Sequence, residues 1–113
     1  MNNQVKPVWD VLISKSDVSL RQAQSKLDNV LARKKKAEVR QNKLDDLLLE
    51  YGERLNKIVA RIHNPDEAAH YRQFIIQLQH LGKSAREEYE KIDQEFYVTQ
   101  KEVITADQER AKL

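Results

Sequence analysis

The chain has 113 residues, which fits one domain, and about a third of them (34%) are charged while only 6% are aromatic. Two glycines, two prolines and no cysteine describe a long-helix protein rather than a loop-rich globule, and exclude disulfides and thiolate metal sites. A net charge of +2 does not by itself call for nucleic acid.

Met1 to Lys6 is polar and leads into a polar-interrupted stretch, so neither a signal peptide nor a membrane span of ~20 apolar residues is expected. A cytosolic location follows by default. Pro7 suits the first position of a helix, where its missing N–H is harmless. From there the residues follow a three-four rhythm: Trp9, Ile13, Ser16, Leu20, Ala23, Leu27, Val30, Lys34, Ala37, Gln41, Leu44, Leu48, Tyr51, Leu55, Ile58, Ile62. Only Ser16, Lys34 and Gln41 interrupt it with polar groups. A rhythm sustained this long marks a coiled-coil seam, and a helix over about 7–63 would be on the order of 80 Å long.

The first helix is expected to stop at His63-Asn64-Pro65. Pro65 disfavours helical geometry at Asn64. Asn64 then caps a second helix that has Pro65 in its first position and Glu67 three residues past the cap. So short a turn folds two helices back antiparallel; a kinked continuous helix is the competing reading. The second helix, about 65–113, keeps the rhythm through Tyr71, Phe74, Leu78, Leu81 and Ala85. An extra step of four to Tyr89 predicts a stutter with a looser section near Gly82.

Charge supports the hairpin. Residues 1–63 carry thirteen Lys/Arg against eight Asp/Glu, a surplus of five; residues 64–113 carry seven against ten, a deficit of three. Folding back about Asn64 places together residues whose numbers total roughly 128. The run Arg33 to Lys36 then faces Asp93 and Glu95, and Arg40 lies near Glu87, Glu88 and Glu90. Opposite charges beside a seam set partner and orientation, although each exposed pair is worth only about 0–1 kcal/mol. Glu50–Arg54 and Glu87–Lys91 have the spacing of pairs within one helix. The expected fold is all-α: one antiparallel two-helix coiled-coil hairpin, a long rod, monomeric alone.

Nothing in the sequence has the pattern of a catalytic centre. His63, His70 and His80 are spaced by seven and ten, not the three or four that align two ligands on one helix face. Neither glycine has a glycine neighbour, as a phosphate loop requires. No enzyme activity, cofactor or metal is expected. The basic run has no interleaved aromatics and faces acids, so no nucleic-acid partner is expected either, although an RNA-gripping arm is an alternative. Leu47, Ile75 and Ile76 fall one step off the seam, which predicts an apolar patch near the turn. In the hairpin register Val8, Trp9, Val11, Leu12 and Ile13 project past the second helix. Trp9, Leu12 and Ile13 are therefore candidate partner contacts.

Leu44-x-x-Leu47-x-x-x-Tyr51, then Tyr71-Arg72-Gln73-Phe74-Ile75 with Leu78 following, resembles the FliJ family of flagellar export proteins. The spacing between Tyr51 and Tyr71 fits without gaps, and Ala106 to Leu113 is similar to the family's second helix. The resemblance implies a cytosolic part of the flagellar type III export apparatus, peripheral to the inner membrane through its partners. Family members are two-helix coiled coils similar to the rotor stalk of rotary ATPases. They associate with the export ATPase ring, link it to the membrane export gate and handle export chaperones. The family's gate-facing surface maps onto Arg40, Leu44, Leu47, Tyr51, Phe74, Leu78, Leu81 and Ala85, and the free helix ends would enter the ATPase ring. The injectisome counterpart of this stalk, and a plain dimerising coiled coil, are further alternatives.

Overall fold

The computed structural model describes residues 5–61 and 65–113, with side chains from residue 7 onward. Two helices, α1 (Val5–Arg61) and α2 (Pro65–Ala111), form a helical hairpin without strands among the described residues. α1 begins two residues before Pro7, which therefore occupies the third helical position rather than the first. Its missing N–H still costs nothing, because first-turn donors have no acceptor within the helix. Ile62, His63 and the expected cap at Asn64 lie outside the described residues. Pro65 does open α2, with Asp66 and Glu67 in its first turn against the positive end of the helix dipole. No helix among the described residues is long and apolar enough to cross a membrane.

Contacts gather into two compact units: Met1–Lys34 with Ile92–Leu113, and Lys35–Lys91. In the first unit Val30 and Thr99 are fully buried and Ile92 nearly so. The Thr99 hydroxyl donates to the Glu95 carbonyl at 2.7 Å, so this polar seam residue is satisfied within its own helix. Lys34, the charged seam position, directs its Nζ to Asp93 Oδ1 at 2.8 Å and lies 4.5 Å from the centre of the Phe96 ring. In the second unit Ala37, Ala68, Leu78 and Ala85 are buried.

The register follows the fold-back arithmetic. In the first unit Lys26–Glu102 and Arg33–Glu95 pair at 3.1 and 2.5 Å, and Arg110 bonds Asp17. In the second, Arg40 pairs with Glu88 at 2.7 Å and the Tyr89 hydroxyl donates to Glu38 at 3.3 Å. Every one of these partnerships has numbers totalling 127 or 128. Glu87 and Glu90 are not the partners of Arg40, since both point away on the exposed face of α2. Glu50–Arg54 forms at 2.6 Å, whereas Glu87–Lys91 does not form. Pairs of that kind are worth only tenths of a kcal/mol, roughly, and solvent competes with them.

The seam of α1 matches its expected positions from Ile13 to Ile58. That of α2 does not. The residues turned inward are Ala68, Tyr71, Ile75, Leu78, Gly82, Ala85, Tyr89, Ile92, Phe96 and Thr99, a strict alternation of three and four. There is no stutter. Ile75 belongs to the seam, and Phe74 and Leu81 lie off it. The expected skip arises because Phe74 and Leu81 are apolar neighbours of the seam, which itself passes through Ile75 and a glycine.

Candidate functional site

Residues seven apart share one heptad position and hence one side of a coiled coil. On α1 one such flanking series is Lys26, Arg33, Arg40, Leu47, Arg54; on α2 the facing series is Glu102, Glu95, Glu88, Leu81, Phe74. In the first unit its members make the Lys26–Glu102 and Arg33–Glu95 pairs, and in the second unit Arg40–Glu88. The next heptad of the second unit then changes character. Leu47 and Leu81, 36% and 56% exposed, stand where a cation and an anion would continue the ladder. One heptad further stand Arg54 and Phe74, the latter 38% exposed.

Aromatic packing shapes this strip. Tyr51 meets Phe74 edge to face, with ring centres 4.6 Å apart, and lies 5.8 Å from Tyr71. The Arg54 guanidinium sits 4.9 Å from the Tyr51 ring while bonding Glu50. Leu78 and Ala85 are buried beneath, so they support the strip without presenting their own surface. Leu44 is half-buried. The opposite flank of the same layers carries Glu38, Asp45 and Gly52 on α1 and Gln79 and Arg86 on α2. The apolar surface is therefore one-sided.

Of the residues singled out in the sequence, Leu47, Tyr51, Phe74 and Leu81 thus share this strip, with Arg40 at its ion-paired edge. Ile76 and Leu49 are exposed but lie on outward faces. Trp9 and Leu12 are exposed beside Val8 and Val11, and Ile13 is half-buried. Pro7, Val8, Val11 and Leu12 line a shallow apolar hollow. His70 and His80 are exposed and His63 lies outside the described residues. Among the described residues no three His, Asp or Glu side chains are grouped to hold a metal.

The Lys26–Glu102 and Asp17–Arg110 bridges escaped the sequence reading. Counting back seven from Arg33 and forward seven from Glu95 would have found the first. The Arg33 guanidinium, hydrogen-bonded to Glu95, holds that carboxyl below the usual carboxylate range; desolvation opposes this, and the charges of Arg33 and Lys26 add smaller contributions in the lowering direction.

Chemically the strip offers no nucleophile, base or concave pocket. It offers apolar and aromatic area at heptad spacing, which suits docking by a macromolecule. Comparison with protein-family models, curated proteins and solved structures gives no match to this chain.

Proposed function

We propose that the chain is a non-enzymatic stalk and adaptor of a type III protein export apparatus, of the flagellar kind. On this reading it works in the cytoplasm, peripherally at the inner membrane, without cofactor or metal. It associates with the export ATPase ring, links that ring to the membrane export gate, and meets export chaperones. Trp9, Leu12 and Ile13 contact the ATPase side. The gate side is the strip of Leu47, Tyr51, Phe74 and Leu81, edged by Arg40 and Leu44 and supported from beneath by Leu78 and Ala85.

The observation that carries this reading is the one-sided strip: Leu47 and Leu81 replace the ion pair of the preceding heptad and are left open to water. An exposed apolar strip at this spacing is what a helical hairpin needs in order to grip a partner. Four of the eight residues that the family resemblance maps, Leu47, Tyr51, Phe74 and Leu81, lie in this strip. The RNA-arm alternative is disfavoured, because Arg33 and Lys34 already pair with Glu95 and Asp93.

The test is capture by purified export ATPase and by the cytosolic domain of the export gate. Leu47→Ala and Phe74→Ala should retain helicity and weaken gate binding by about tenfold. Unchanged gate binding by both variants contradicts the proposal. Binding to an injectisome gate in place of a flagellar one would reassign the system.

A further inference from the structure

We propose that the helix pair bends at the level of Gly82, a joint between the ion-paired layer Arg40–Glu88 and the aromatic clasp of Tyr51 and Phe74. This inference concerns the second unit alone and does not depend on what docks there.

Glycine is among the least favourable residues in a helix interior, because it releases the backbone and packs nothing. The chain has two, and both sit inside helices of this unit. Neither is required by space. A Cβ on Gly82 would stand 4.0 Å from Leu48 Cδ1, an ordinary contact, and one on Gly52 would meet nothing within 4 Å. In the register of 127 or 128 Gly82 faces residues 45–46 of α1, between Arg40 and Tyr51, whereas Gly52 lies beyond Tyr51, within the clasp.

Two further observations fall at this level. The seam is thin, because α2 sets only Ala85 and Gly82 inward on successive turns. Polar ties between the helices are also missing. Tyr89–Glu38 and Arg40–Glu88 lie on one side and the Tyr51–Phe74 contact on the other. Between them, residues 41–50 of α1 and 79–87 of α2 share no hydrogen bond, ion pair or ring contact. Released backbone, little buried bulk and absent cross-ties are the conditions under which helices kink and open locally. Leu47 and Leu81 sit at the joint and Phe74 beyond it, so bending changes the curvature of the strip.

The cysteine-free chain permits a direct test by pulsed electron–electron distance measurement on the full protein. Spin labels on His70→Cys and Lys91→Cys span the joint on α2; labels on Asp10→Cys and Leu31→Cys span an equal length of α1 within the first unit, with no glycine. Both pairs should centre near ~31 Å. The spanning pair should give a distribution about twice as broad, narrowing to that of the reference pair with Gly82→Ala. Equal widths in the parent chain overturn the proposal, as does an unchanged width in the Gly82→Ala variant with intact helicity.

Discussion

Lys34 lies in the helix seam with its ammonium 2.8 Å from Asp93 and 4.5 Å from the centre of the Phe96 ring. The side chain lends its methylene stem to the seam and turns its charge to a partner at the rim. It is the least exposed cation among the ion pairs described, with 22% of its side chain open to solvent against 45% for Arg33.

This difference separates two classes of ion pair. Removing Asp93 takes an ion-pair partner from a half-buried charge, whereas removing Glu102 leaves Lys26 in water. Asp93→Ala is expected to destabilise the hairpin by about 1 kcal/mol and Glu102→Ala by roughly 0–0.5 kcal/mol. Urea denaturation of the two variants checks this. Lys34→Leu combined with Asp93→Ala should be milder than Asp93→Ala alone, because it removes both charges and keeps the seam filled.

The corrected seam of α2 makes its own prediction. Ile75 is turned inward and Leu81 outward, although both are large and apolar. Ile75→Ala should cost about 2 kcal/mol and Leu81→Ala less than about 0.5 kcal/mol. Thermal melts followed by circular dichroism decide between the observed register and one passing through Phe74 and Leu81, which would reverse the order.

Acid should weaken the first unit in a defined window. The Glu95 carboxyl is held below its usual value of 4.5, first by the hydrogen bond from Arg33. A depressed carboxyl stabilises the fold above its unfolded pKa. That stabilisation is lost as pH falls through the lower folded value. The melting temperature should therefore decline as pH drops below 4.5, and Glu95→Gln should flatten part of that decline. The effect is small, because the pair is exposed.

Much of the hairpin was legible in the sequence. Pro65 set the fold-back point, and the placing of Arg33, Lys34 and Arg40 against Glu95, Asp93 and Glu88 followed from it within one residue. The seam of α1 was legible because most of its inward positions carry large apolar residues. On α2 that signal inverts between Tyr71 and Ala85. The flank holds Phe74 and Leu81 while the seam holds Gly82, so hydrophobicity alone selects the wrong row. The same inversion hid the site. Leu81 looked like core, yet it is the most exposed member of the strip.

The claim that matters most is that this flank, rather than exposed apolar surface in general, is where a partner docks. Leu81 and Leu49 provide the comparison: Leu49 is more exposed, at 66% against 56%, but lies on the outward face of α1. The affinity of the export-gate cytosolic domain for Leu81→Glu and Leu49→Glu tests it directly. The account predicts a loss of about tenfold or more for Leu81→Glu with Leu49→Glu unchanged. Equal affinities for the two variants, or a loss confined to Leu49→Glu, would contradict it.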